Sequence, residues 1–309
     1  MANMNIQSPT SPQKATYTIS VVITTKNRSA YLRQAIESVL AAKSTVFKTE
    51  IIVVDDGSTD DTPEVLKSYP VRVLRTTGIG MAKARSLGLR TATGDFFTLL
   101  DDDDVWMPNN MGPQVALLEK HPEYGAVHAQ VLLVRPDLTP YENQWPRERP
   151  SSGWIFEDML VDWPQVGTLL TRREVALEAG DFDPSLTGDN DWDWLLRIAK
   201  RHQIGRISDQ VLLFRQREEP EESLAWRRFP ALLKIFRRHT RSLSIIKRVQ
   251  LSPILWSHRG WWAGHLLKFA QINYNKGQRK RAYRSLYYAF RCSPPHALRG
   301  CLRNWPFKT

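Results

Sequence analysis

Between residues 18 and 100, short apolar runs alternate with amphipathic helical patterns, and this alternation constrains the fold more than any other feature. Runs rich in β-branched residues predict strands, whereas apolar residues spaced three or four apart predict helices. Strands are predicted at residues 18–25, 50–54, 71–74 and 95–100, and helices at 31–42, 60–69 and 81–91. A chain that alternates in this way is expected to form an α/β fold, in which helices flank a mostly parallel sheet.

The predicted strands end in unusually polar segments. TTKNR follows the first strand, DDGSTDD the second and DDDD the last of this series. Ligands of open parallel sheets bind beyond the carboxyl ends of the strands. The functional site is therefore predicted at that edge.

Beyond residue 105 the alternation loosens. We expect a helix at residues 111–120, a strand at 126–134, a helix at 191–202 and a strand at 211–215. From about residue 224 the pattern is helical, with a helix pair at 260–274 and 279–290.

Charge separates two parts of the chain. Residues 1–219 contain 24 Lys and Arg against 30 Asp and Glu (net −6), whereas residues 220–309 contain 19 against 2 (net +17). We therefore predict a disordered tail at 1–15, a catalytic α/β domain at 16–219 and a basic helical extension at 220–309. Residues 1–15 lack the apolar stretch of a signal peptide, and a cytoplasmic protein is expected.

Four consecutive carboxylates, Asp101 to Asp104, follow a predicted buried strand. Adjacent carboxylates repel one another unless a cation neutralises them, and oxygen ligands favour a hard divalent ion. A solvated acidic loop, or aspartates capping the next helix, is the alternative.

Six segments occur in order along the chain: ISVVITTKNR, VVDDGSTD, AKARSLG, GDFFTLLDDDDVWMP, GDFDPSL and DNDWDWLLR. Together they resemble family 2 of the glycosyltransferases, whose fold is called GT-A. The resemblance covers roughly residues 17–217 and implies a Rossmann-like sheet, a nucleotide-sugar donor and an inverting reaction.

The resemblance implies roles for residues at the strand ends. Thr24 and Asp56 match positions that contact the nucleotide base, Asn27 helps to shape the first loop, and Asp102 lies near the ribose. A UDP-linked donor is the expectation, although Lys26 stands where relatives often carry an aromatic residue.

The same resemblance makes Asp101 and Asp103 the outer carboxylates of the Asp-x-Asp motif, which would bind Mn²⁺ or Mg²⁺. Lys83 and Arg85 match the helix start that faces the donor diphosphate, where a helix N-terminus also favours anions. The alternative for both residues is a solvated helix face.

Asp191 is implied to be the general base that removes the proton from the acceptor hydroxyl. Asn190 departs from the family, which commonly has Glu there. Because of this departure and of Lys26, a catalytically inactive GT-A protein is an alternative.

Two other classes are weaker alternatives. A sugar nucleotidylyltransferase needs a glycine-rich loop after the first strand, and TTKNR contains no glycine. The sequence pI of about 9.7 suggests nucleic-acid binding, but the acidic residues 1–219 would repel phosphates, and no nucleic-acid partner is expected.

The basic extension, residues 220–309, is expected to dock on an anionic membrane surface near a carbohydrate or lipid-linked acceptor. Its charge attracts acidic lipid, and Trp256, Trp261 and Trp262 suit the interfacial zone. The alternatives are that the aromatic residues pack a helical appendage onto the catalytic domain, or that the surface binds an acidic polymer or protein.

Overall fold

The computed structural model describes residues 17–108, 110–142, 151–216 and 222–304. The predicted disordered tail at 1–15 and the predicted domain boundary between residues 219 and 220 lie outside these residues.

Within these ranges, eight strands form one sheet. They are β1 (Tyr17–Thr25), β2 (Phe47–Asp55), β3 (Arg72–Arg75), β4 (Phe96–Asp101), β5 (Val105–Trp106), β6 (Tyr124–Val134), β7 (Leu170–Arg172) and β8 (Gln203–Arg215). Their spatial order is β3-β2-β1-β4-β7-β6-β8-β5. β1, β2, β3 and β4 pair in parallel, as do β6 and β8, whereas β7 and β5 run antiparallel to their neighbours. The predicted α/β fold with a mostly parallel sheet is confirmed.

The helices alternate with the strands and then follow the last of them. They are α1 (Ser29–Ala41), α2 (Thr62–Leu66), α3 (Met81–Thr91), α4 (Gly112–Lys120), α5 (Asp158–Val161), α6 (Arg173–Ala179), α7 (Asn190–Ala199), α8 (Glu222–Thr240), α9 (Ile245–Asn275), α10 (Arg279–Cys292) and α11 (Pro294–Asn304). A 3-10 turn occupies Val166–Thr168.

The first strand is buried on both faces, as its unbroken apolar run predicts. Ile19, Val21 and Ile23 belong to the main hydrophobic core together with the stripe of α1. Gly88 allows α3 to approach β1 closely, because a Cβ at this position would lie 2.3 Å from Val22 Cγ1. Helix and strand therefore pack at a distance that only glycine permits.

The chain folds into two compact units. The first contains the described residues up to Ile155, Trp163–Phe182 and Arg197–Gln216, and it includes the whole sheet. The second contains Phe156–Asp162, Asp183–Leu196 and the helices α8 to α11. Its buried residues include large side chains of α5, α7, α8 and α9, among them Met159, Trp192, Trp194, Phe229, Phe236 and Trp262.

The extension is helical, as predicted, but α9 begins fifteen residues before the predicted residue 260. Ser244 caps its N-terminus by accepting a hydrogen bond from the Lys247 amide at 3.2 Å. Trp262 was expected at a membrane interface, yet it is only 7% exposed because it packs inside the second unit. Among the described residues, no helix combines the length and the apolar character needed to cross a bilayer.

Candidate functional site

The carboxyl ends of β1, β2 and β4 lie side by side, because these three strands are parallel and adjacent. In register, Thr24 of β1 pairs with Asp101 of β4, and Thr25 pairs with Asp55 of β2. The polar segments that follow the strands are thereby gathered at one edge of the sheet, as the sequence predicts.

Burial alternates along the acidic run after β4. Asp102 and Asp104 are 5% and 2% exposed. The side chains of Asp101 and Asp103 are 32% and 20% exposed. Asp101 and Asp103 are therefore the two carboxylates of the run that can reach a ligand from solvent.

Two arginines pair with this run. Arg28 Nη1 donates to Asp102 Oδ1 at 2.9 Å and to Asp103 Oδ2 at 3.1 Å. Arg85, which is 3% exposed, donates from Nη2 to Asp101 Oδ1 at 2.6 Å. The two guanidinium groups offset part of the mutual repulsion among the four carboxylates. No role was predicted for Arg28, because its partners Asp102 and Asp103 lie 74 and 75 positions later in the sequence.

The two buried carboxylates of the run have perturbed pKa values. Burial raises the pKa of Asp102 to about 6, against the opposing effects of the Arg28 charge and the hydrogen bond that Thr25 Oγ1 donates at 2.7 Å. Burial also raises the pKa of Asp104, and the neighbouring Asp101 charge adds to this effect. Asp104 Oδ1 accepts from the Arg215 amide at 3.0 Å, which ties the run to β8.

The loops after β1 and β2 are joined through Asn27, which adopts φ = 55°. Its amide donates to Ser58 Oγ at 2.9 Å, and its Oδ1 accepts from the Thr59 amide at 2.7 Å. Asn27 is one of the non-glycine residues that tolerate this left-handed backbone. These contacts agree with the loop-shaping role that was expected of Asn27.

Asp56 is 7% exposed and organises the turn that precedes α3. Its carboxylate accepts from Thr76 Oγ1 at 2.6 Å, from the Ile79 amide at 2.7 Å and from the Gly80 amide at 2.9 Å. The following Gly57 has φ = 79°, so the turn requires a residue without a side chain there.

At the start of α3, Lys83 and Arg85 have different surroundings. Lys83 is exposed, which suits either a ligand contact or the solvated face that was the alternative. Arg85 is buried against Asp101, so a solvated face does not describe it.

A second group of aspartates lies in the second unit, around the start of α7. Asp189 and Asp193 are 8% and 0% exposed, whereas Asp191 is partly exposed on the first helical turn. Asp191 Oδ1 accepts from the Trp192 amide at 2.9 Å. Of these three carboxylates, Asp191 is the one with access to solvent.

Helix α8 supplies the cationic partners of the two buried aspartates. Arg228 Nε donates to Asp189 Oδ1 at 2.9 Å. Arg238 Nη1 lies 2.8 Å and His239 Nε2 lies 3.0 Å from Asp193 Oδ1. Burial raises the pKa of Asp189, and the Arg228 charge opposes this effect. These α8 residues were not predicted as part of a site, because sequence alone does not indicate which residues α8 contacts.

Known proteins resemble this chain in sequence and in fold. The family model described as Glycosyl transferase family 2 matches residues 20–176, slightly more than half of the chain. An uncharacterized glycosyltransferase of Haemophilus influenzae is 29% identical over 186 residues, which are 58% of this chain and 61% of that protein. The glycosyltransferase YwdF of Bacillus subtilis is 29% identical over 199 residues, 61% of this chain and 70% of that protein. The matched segment spans about three fifths of the length of the first relatives.

Solved structures share the fold at low identity. The mannosyltransferase PcManGT from Pyrobaculum calidifontis, solved with GDP-Man and Mn²⁺, superposes with a TM-score of 0.59 at 18% identity, covering 96% of this chain and 89% of that one. TarS of S. aureus, solved with UDP-GlcNAc, gives 0.54 at 16% identity, covering 86% and 89%. The matched family model, the strand order and these neighbours lead to one conclusion: the chain belongs to glycosyl transferase family 2 and has the GT-A fold.

Proposed function

We propose that the chain transfers a sugar from a nucleotide-sugar donor to an acceptor hydroxyl, with inversion at the anomeric carbon. The observation that carries the proposal is the acidic run at the carboxyl end of β4, where Asp101 and Asp103 reach solvent and Asp102 and Asp104 are buried. Membership of glycosyl transferase family 2 supports the reaction class.

For the donor, the proposal uses residues at the ends of β1, β2 and β4 and at the start of α3. Thr24 and Asp56 contact the base, Asn27 holds the loop, and Asp102 lies at the ribose. Lys83 and Arg85 face the diphosphate, where the N-terminus of α3 adds partial positive charge. A uridine nucleotide is the first candidate. A guanosine nucleotide is the second, because one structural neighbour was solved with GDP-Man.

A divalent ion, Mn²⁺ or Mg²⁺, fits the residues present if the phosphates of the donor supply some of its ligands. No group of three His, Cys, Asp or Glu side chains that could hold a metal occurs in the described part of the chain. Ions of this kind are commonly held by one or two carboxylates together with substrate phosphates, and Asp101 and Asp103 supply such a pair. When bound, the ion would stabilise the charge that develops on the departing diphosphate.

The arginines would act alongside that ion. Arg28 and Arg85 each hold a carboxylate of the run, so donor binding requires these ion pairs to be shared or exchanged. A guanidinium released from a carboxylate can bind phosphate through two parallel hydrogen bonds. Arg28 and Arg85 can therefore stabilise the leaving group.

For the acceptor, Asp191 is proposed as the general base that takes the hydroxyl proton. Its neighbours support this choice, because Asp189 and Asp193 are buried and held by Arg228, Arg238 and His239. A base must exchange its proton with the reacting group, which a buried, paired carboxylate cannot do.

The acceptor class is proposed to be a carbohydrate or a lipid-linked sugar, in polysaccharide or glycolipid synthesis. The basic extension, residues 220–309, would hold the enzyme peripherally on the inner face of the cell membrane. Its net charge of +17 supports this position.

The test is incubation of the purified chain with labelled UDP- and GDP-sugars, Mn²⁺ and mixed acceptors. Product and free nucleoside diphosphate are then quantified, and the anomeric configuration of the product is read by NMR. Transfer with inversion, lost in Asp191→Asn, is the expected result. A chain that binds nucleotide but releases no diphosphate is an inactive GT-A protein, and retention of configuration would contradict the displacement.

A further inference from the structure

The first half of α9 presents an apolar face that no described part of the second unit covers. Ile245, Ile246 and Val249 are 72%, 73% and 65% exposed, and Trp256 is 50% exposed. At 100° per residue Ile245, Ile246 and Val249 fall within about 100° of one another around the helix axis and form an apolar stripe. Trp256 follows about two turns further along, beyond Pro253.

The other side of α9 is held within the second unit. Leu251 and Trp262 are buried, and Lys247 Nζ lies 2.7 Å from Glu157 Oε2. The stripe is therefore the outward side of a helix whose orientation within its unit is fixed. We call Ile245, Ile246, Val249 and Trp256 the α9 face.

Positive charge surrounds the α9 face. Arg241 and Arg248 are exposed on either side of its first turn, and the Arg259 guanidinium lies 4.8 Å from the centre of the Trp256 ring. No acidic residue follows Glu222 in the sequence. An apolar stripe flanked by cations matches a surface that is apolar inside and anionic outside, which is the interface of an acidic bilayer.

A second copy of the chain fits this face poorly. Residues 220–309 carry a net charge of +17, so two copies brought together there would repel. A stable protein interface also buries about 800 Å² on each partner, which is more than four side chains on three helical turns provide.

We propose that the α9 face inserts into the headgroup region of an anionic bilayer, with the exposed Arg241 and Arg248 at the level of the lipid phosphates. The assignment deepens the proposed function by naming the surface that docks. The residues proposed to enter the headgroup region are therefore Ile245, Ile246 and Val249 rather than the expected Trp262. Trp256 lies at the interface beside Arg259, where its amphipathic ring is favoured.

The test is sedimentation of the full chain with vesicles of phosphatidylglycerol and phosphatidylcholine, or of phosphatidylcholine alone. The paired substitutions Ile245→Ser and Ile246→Ser should weaken binding to the anionic vesicles at least about tenfold, because each isoleucine contributes by burying apolar area. The matched control carries Leu298→Ser and Leu302→Ser on α11, where the side chains are 54% and 75% exposed. The control should bind within about twofold of the unchanged chain.

Four results would overturn the proposal: no binding of the unchanged chain, equal binding to neutral vesicles, an unaffected isoleucine variant, or an equal loss in the control. Binding should also fall at about 1 M salt, where the Debye length is about 3 Å. If sedimentation velocity shows a dimer that the isoleucine substitutions dissociate, a second copy occupies the face and the proposal fails.

Vesicle binding needs neither donor nor acceptor, so its outcome is separate from that of the proposed glycosyl transfer. Donor turnover in vesicle-free buffer is measured in parallel and should be equal in the unchanged chain and the isoleucine variant. Far-ultraviolet circular dichroism of each variant, matched to the unchanged chain, shows that a loss of binding is not a loss of folding.

Discussion

The two aspartate-rich segments of the molecule, residues 101–104 and 183–193, use arginine in different ways. In the first, Arg28 and Arg85 hold carboxylates that are still partly exposed, namely Asp103 and Asp101. In the second, Arg228 and Arg238 hold Asp189 and Asp193, both of which are buried, whereas Asp191 is partly exposed. Arg28 also holds the buried Asp102, and Arg238 also holds Asp183, whose side chain is 20% exposed. The contrast is therefore between Asp189 and Asp193, which are buried, ion-paired and stabilise the start of α7, and Asp101 and Asp103, which stay accessible to solvent although each is held by an arginine.

The substitution Asp191→Asn tests this comparison with the largest expected effect. We expect kcat to fall by about 10²- to 10⁴-fold, the scale for removing a general base, while donor affinity and the melting temperature stay unchanged. Steady-state kinetics and calorimetry with the nucleotide measure the two effects. Asp193→Asn is the matched control, in which loss of activity should follow loss of stability. Normal turnover in Asp191→Asn would exclude Asp191 as the base.

The next largest effect is expected for the ion pair between Arg228 and Asp189 in the second segment. Arg228→Met should lower the free energy of unfolding by about 3 kcal/mol, because it leaves the buried Asp189 carboxylate without its cation. Lys234→Met is the control, since Lys234 Nζ lies 4.0 Å from Oδ2 of the less buried Asp183. This substitution should lower the free energy of unfolding by less than about 1 kcal/mol. Denaturant titration measures both. Equal effects would mean that the burial of Asp189 is not what makes its partner important.

At the first segment, Asp103→Asn tests ligand exchange. We expect the affinity for UDP in the presence of Mn²⁺ to fall about 30-fold, corresponding to about 2 kcal/mol, while the fold remains intact. Calorimetry with Mn²⁺ and with EDTA compares the variant and the unchanged chain. Equal UDP affinity of the unchanged chain in the two buffers would contradict metal binding by Asp103.

The smallest expected effect concerns Lys83, which is exposed at the start of α3. Lys83→Met should weaken donor binding about fivefold, or about 1 kcal/mol, and should reduce the salt dependence of binding, because an exposed ammonium contributes little in water. Lys67→Met is the control, since Lys67 directly follows α2 and its Nζ lies 2.8 Å from Glu64 Oε1. If the two variants bind donor equally well, Lys83 belongs to a solvated helix face.

Periodicity was sufficient to predict β1, β2 and β4, because each of these strands contains a short buried run bounded by polar residues. Helix α3 was predicted with its observed ends, residues 81 and 91. β8 was predicted from residue 211 but begins at Gln203, because residues 203–206 and Gln210 pair with β6 although the segment is largely polar. Pairing with a neighbouring strand is a tertiary effect that a propensity argument does not contain.

The location of the candidate site could be predicted, because its residues follow strand ends that lie at one edge of the sheet. Asp101 and Asp103 are partly exposed and Asp102 is buried, and their roles toward a donor stay predictions. Arg28 and the arginines of α8 could not be assigned in this way, because their partners lie far away in sequence. Arg228, for example, contacts Asp189, which is 39 positions earlier in the chain.

The hydrogen bonds of Asp56 have a consequence for how fast and how tightly a nucleotide binds. The carboxylate proposed to contact the base already accepts from Thr76, Ile79 and Gly80. A base that uses the same oxygens must share those donors or replace them. If it replaces them, the turn before α3 would have to open, and the measured dissociation constant would equal the intrinsic one divided by the fraction of open molecules. Nucleotide affinity would then depend on the population of the open turn as well as on the contacts made once the turn has opened.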